Sequence, residues 1–84
     1  MNTYHFTVVL AGSVDLTEEV ADGLYAAGCD DATPGMSNGV VSIDFHREAP
    51  TMEEAIQSAI NNVRRAGHDV RRVEIEPAAA GPAA

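Results

Sequence analysis

VVSIDFHREAPTMEEAIQSAINNVRRAG, residues 40–67, is the stretch that decides the fold. Val41, Ile43 and Phe45 alternate with Ser42, Asp44 and His46, so Val40 to His46 reads as a strand with one apolar face. Pro50 stops it. Thr51-Met52-Glu53-Glu54 then forms a capping box, with Glu54 three residues after the cap. Met52, Ile56, Ala59, Ile60 and Val63 follow at helical spacing. Arg64 and Arg65 fall in the last turn, where the helix dipole favours cations, and Gly67 ends the helix.

The first half of the chain follows the same plan. Tyr4 to Leu10 is aromatic and β-branched, with Tyr4, Phe6, Val8 and Leu10 on the greasier face. After the break at Gly12-Ser13, Asp15 is expected as an N-cap with Glu18 as its capping-box partner. Leu16, Val20, Leu24 and Ala27 predict a helix of about a dozen residues, closed at Gly28. Asp30 to Met36 contains Pro34 and Gly35, which permit at most a short edge strand. Ser37-Asn38-Gly39 favours a tight hairpin. Val70 to Glu76 is the last strand, with Val73 and Ile75 expected inward.

The resulting β-α-β-β-α-β order, with right-handed crossovers, predicts an α+β, ferredoxin-like two-layer sandwich. Its antiparallel sheet would run 4-1-3-2 with both helices on one face. A three-stranded sheet is the alternative if the second strand fails to form. One domain over residues 1–77 is expected, with a disordered tail over 78–84, PAAAGPAA from Pro77 on.

Thirteen acids against five arginines give the 84 residues a formal charge of −8. Such a chain repels phosphate, so neither direct nucleic-acid binding nor an anionic membrane surface is expected. No apolar run approaches the roughly 18–20 residues that span a bilayer, and the N-terminus lacks the basic-then-apolar pattern of a secretory signal. Cys29 is the only cysteine, which excludes an internal disulfide and suits a reducing, cytoplasmic setting.

The acids are unevenly placed. DLTEEVADGLYAAGCDD, residues 15–31, carries six carboxylates, and no Lys or Arg occurs before residue 47. First-turn acids gain from the helix dipole, which accounts for Asp15, Glu18 and Glu19 but not for Asp22, Asp30 and Asp31. Carboxylates one helical turn apart lie roughly 5–6 Å from each other, of the order of phosphate spacing along a strand. Asp15, Glu18, Glu19, Asp22, Asp30 and Asp31 are therefore the candidate contacts to a basic protein surface, with solubility as the plainer account of the charge.

No phosphate-binding loop, nucleophile elbow or dinucleotide fingerprint occurs. Cys29 beside Asp30 and Asp31 is a poor nucleophile. No enzyme activity, catalytic residue or cofactor is expected. His5 and His46 would meet across the antiparallel first and third strands, with Thr7 beside Asp44 and Glu74 or Glu76 near His5. That is a possible metal or pH-sensing group, although no metal-ligand spacing supports it and no metal is expected. Arg64, Arg65, Arg71 and Arg72 are expected in ion pairs around the last strand.

YHFTVVLAG, DLTEEVADGLYAAGCDDA and GVVSIDFHREAPTMEEAIQSAINNVRRAGHDVRRVEIEP together resemble a small bacterial domain, over residues 3–77. In longer relatives that domain resembles the front half of short helix-turn-helix proteins of regulatory or antitoxin type. PAAAGPAA stands where a DNA-reading head would follow, so the resemblance does not bring a DNA-binding role. In size and charge alone the chain is similar to small acidic anti-CRISPR inhibitors. The expected function is an acidic interaction module that blocks a basic, nucleic-acid-binding protein, as a monomer or weak homodimer. The alternative is an oligomerising or regulatory domain using the open sheet face of Thr7, Val9, Ser42 and Asp44.

Overall fold

The computed structural model describes residues 2–12 and 15–75. Its elements are β1 (Asn2–Leu10), α1 (Glu18–Ala26), β2 (Ala32–Ser37), β3 (Val40–Ala49), α2 (Met52–Arg65) and β4 (Val70–Ile75). The strands form one antiparallel sheet in the order β2-β3-β1-β4, which counted from the β4 edge runs 4-1-3-2. The expected tail over residues 78–84 lies outside the described residues, as do Ser13 and Glu76.

Period-two alternation builds the core. Phe6, Val8 and Leu10 of β1 and Val41, Ile43 and Phe45 of β3 point to one face of the sheet. Leu24 of α1 and Ala55, Ala59 and Val63 of α2 close over them in a single buried cluster, so both helices lie on that face. Phe6 and Phe45 are register partners, and their rings stack at 5.4 Å. β3 runs three residues past His46 because β1 begins early enough to pair with it, Tyr4 with Arg47 and Asn2 with Ala49.

α1 starts later than the capping-box spacing suggests. Thr17, not Asp15, is the N-cap: its backbone is extended and its hydroxyl accepts from the Val20 N–H at 3.2 Å. The helix is therefore 9 residues long. Starting there leaves Leu16 just ahead of the cap, partly buried against the core, where a hydrophobic residue fixes the entry of the chain. Thr51 caps α2 as expected, accepting from the Glu54 N–H at 3.2 Å. Ile75 is on the helix-facing side, opposite Phe6, but is 54% exposed because it sits on the uncovered outer strand.

β2 forms despite Pro34, and the backbone pattern explains how. Asn38 and Gly39 both have positive φ, +53° and +77°, which makes a two-residue turn that closes on Ser37 and Val40. Such a turn closes on a hydrogen-bonded pair, and the His46 N–H donating to the Asp31 carbonyl has the same phase. Thr33, Gly35 and Ser37 therefore bond to β3, while Ala32, Pro34 and Met36 turn their backbone groups to the free edge. Pro34 lacks an N–H where none is needed.

Candidate partner-binding flank

α1 and the connection to β2 form the flank of the molecule over β2 and β3. Glu18, Glu19 and Asp22 on α1, Asp15 ahead of it and Asp30 behind it are all exposed. None of these five carboxylates is ion-paired among the described residues. Only Glu18, Glu19 and Asp22 are on the helix, with Glu18 and Asp22 one turn apart. Asp15 lies outside the helix, two residues ahead of the Thr17 cap, so it does not continue their stripe.

Asp31 does not belong to the exposed row. Its carboxylate receives two hydrogen bonds from Arg47, Nε to Oδ2 and Nη2 to Oδ1, both at 2.8 Å. Arg47 is 9% exposed and spends its remaining N–H groups inside the fold. Nη2 donates to the Gly28 carbonyl at 2.8 Å, and Nη1 donates to Asn62 Oδ1 at 2.8 Å and Ser58 Oγ at 3.0 Å. All five guanidinium N–H donors are thereby matched. Its cation also lies 5.0 Å from the Phe45 ring centroid. Arg47 ties β3, the turn after α1 and the middle of α2 together. The hydrogen bonds from Arg47 hold the Asp31 carboxyl below its ordinary range, against the opposing effect of burial.

Gly28 makes this possible. Its φ of +111° suits only glycine, and a Cβ there would stand 2.8 Å from Asn62 Nδ2. Cys29, next in sequence, is buried in the core. Burial pushes its thiol up, Arg47 pulls it down, and Asp31 and Asp30 add to the rise. A thiol so placed is a packing residue rather than a nucleophile.

Beside the acids the flank is apolar. Ala21, Asp22 and Tyr25 of α1 face Ala32 and Pro34 of β2 across a cleft of ≈ 220 Å³, floored by Ile43. Tyr25 is 67% exposed and Met36, on the same face of β2 as Pro34, is 45% exposed. Sequence reading missed both. Tyr25 stands three residues after Asp22, so its ring shares the acidic side of α1, a spacing the sequence does show.

On the opposite face of the sheet, His5 pairs with His46 and Thr7 with Asp44, in the expected register. The imidazoles stack with centroids 4.1 Å apart and planes 15° from parallel. Stacked rings aim their nitrogens in parallel planes rather than at one point, and no cluster able to hold a metal ion occurs among the described residues. Glu74 lies opposite Thr7 instead of His5, and Glu76 lies outside the described residues. Thr7 donates to Asp44 at 2.6 Å, and Val9 is 2% exposed, so Val9 offers no surface to a partner. Of the remaining arginines, Arg72 donates to Glu74 at 2.9 Å, on β4.

No helix is long and apolar enough to cross a membrane, among the described residues. No protein-family model matches the chain, and no curated protein or solved structure matches it either.

Proposed function

We propose that this chain is a non-enzymatic interaction module on a ferredoxin-like plan. It docks its α1–β2 flank onto a basic protein surface used for nucleic acid, and blocks it. A cytoplasmic setting goes with this reading. The observation that carries it is Tyr25, exposed at the cleft it shares with Asp22, on a helix whose Glu18, Glu19 and Asp22 have no ion-pair partner among the described residues. Acids kept for solubility alone need no large apolar neighbours. Grooves built for single strands combine cations with stacking surfaces, which a carboxylate row with an aromatic ring complements. Direct pairing with nucleic acid is opposed by the charge of −8.

The rival reading, association through the open sheet face, is less well supported because Val9 is covered and Thr7 is bonded to Asp44. The test is capture of the partner from the host, followed by competition between the chain and nucleic acid for the purified partner. Affinity should fall steeply from low to moderate salt. Glu18→Lys with Asp22→Lys should abolish competition, and Tyr25→Ala should weaken it at every salt concentration. A partner held equally well by the charge-reversed chain would overturn the proposal.

A further inference from the structure

β2 and β4 are the two free edges of the sheet, and they are built differently. On β2, Pro34 is among the residues that turn their backbone outward, so that edge lacks a donor. β4, VRRVEI, contains neither Pro nor Gly. The alternation fixed at β2 carries across the sheet. Thr33, Gly35 and Ser37 bond to Asp44, Ser42 and Val40, so the even-numbered residues of β3 face β2, and Ile43, Phe45 and Arg47 bond to β1. Thr7 and Val9 then bond to Glu74 and Arg72, and Val73 and Ile75 turn their N–H and C=O groups to the outer edge. The only register shift, between Val9 and Leu10, lies beyond these pairs.

We infer that β4 pairs antiparallel with β4 of a second copy of this chain, about a two-fold axis at Val73. There the two Val73 residues exchange N–H···O=C bonds. The flanking positions become non-hydrogen-bonded pairs, which bring opposed side chains closest, with Cα atoms about 4.5 Å apart. In that register Arg72 stands opposite the partner's Glu74 and Glu74 opposite the partner's Arg72. Registers centred on Arg72 or Glu74 set like charges face to face, which destabilises a pair. Arg72 and Glu74 are half exposed, at 52% and 54%, and an ion pair so exposed is worth little, so their bond within the strand exchanges readily for bonds across the seam. Val73 and the uncovered Ile75 lie on the helix-facing side of the seam, where a second copy covers them. Charged residues on an edge usually guard against such pairing. Here their signs are self-complementary in one register.

Sedimentation equilibrium of the full chain over micromolar to millimolar concentration tests this. The wild type should dimerise. Arg72→Glu sets glutamates against glutamates and Glu74→Arg sets arginines against arginines, so each variant alone should be monomeric. An equimolar mixture of those two variants should give a heterodimer, and the double exchange Arg72→Glu with Glu74→Arg should dimerise again. Val73→Pro, which removes a donor only from the outer edge, should be a folded monomer by circular dichroism. A wild type that is monomeric throughout, or single variants that dimerise like the wild type, would overturn the inference. The heterodimer cannot arise from misfolded chains, so loss of fold is distinguished from loss of pairing.

Discussion

Replacing Arg47 by methionine keeps much of the side chain's stem and deletes every guanidinium donor. Asp31, Gly28 O, Asn62 Oδ1 and Ser58 Oγ then lose their partner together. Removing one member of a buried ion pair costs about 3–5 kcal/mol, because the other charge is left uncompensated. The Asp31 side chain keeps 31% of its exposure, so water takes over part of the pairing and the lower end, about 3 kcal/mol, is expected. For a domain of this length each kcal/mol moves Tm by about 4–8 °C, giving a fall of about 12–24 °C.

Urea unfolding followed by circular dichroism measures the loss directly. The paired variant Arg47→Met with Asp31→Leu should recover most of it, since removing both charges leaves neither stranded. The pH dependence has a fixed sign. Asp31 is held below its unfolded value, so its contribution is full above an unfolded pKa of about 3.9 and disappears as pH falls through the lower folded value. Arg47→Met should lack that acid-side loss. A variant within about 0.5 kcal/mol of wild type at neutral pH, where ordinary surface changes fall, would refute the account of Arg47 as the tie between helices and sheet.

Three further outcomes are expected. Gly28→Ala should destabilise by about 1–3 kcal/mol in the same urea assay, since it imposes a strained φ and drives a methyl into Asn62. Thr17→Ala should cost about 1 kcal/mol, whereas Asp15→Ala should stay within about 0.5 kcal/mol, and equal losses would contradict the observed cap. Cys29 should react with a thiol reagent only at the rate of opening, so labelling of the native chain should accelerate sharply in urea; immediate labelling in buffer would contradict its burial.

Strand–helix order, the inward faces of β1 and β3, and the α2 cap are legible because each is a local pattern. Arg47 is not legible in the same way. The alternation of Val41, Ile43 and Phe45 points position 47 inward, while its charge points it outward. Only a carboxylate from another element, together with Asn62 and Ser58, resolves that conflict. Asp31 is the other half of the same gap, since it reads as one more acid in a row of acids until β3 is placed beside it. Asp15 reads as the α1 cap from its capping-box spacing with Glu18; Thr17 caps the helix instead, leaving Leu16 against the core, a contact the local pattern does not show. The spacing of Tyr25 from Asp22 does place it on the acidic side of α1, whereas Met36 follows Pro34 and Gly35 on an edge strand whose inward face no local pattern marks.

The helix α1 itself contains no cation and Arg47, behind its end, is spent on Asp31, while the exposed arginines Arg64, Arg65, Arg71 and Arg72 belong to the end of α2 and to β4. The protein therefore carries unbalanced negative charge at α1, whereas around β4 its arginines stand beside Asp69 and Glu74. In the field of a positively charged body it turns as it diffuses, so collisions arrive α1 first and fewer of them are wasted. Orientation of this kind raises the association rate without strengthening a single contact, and it turns the β4 edge away from the body that α1 approaches.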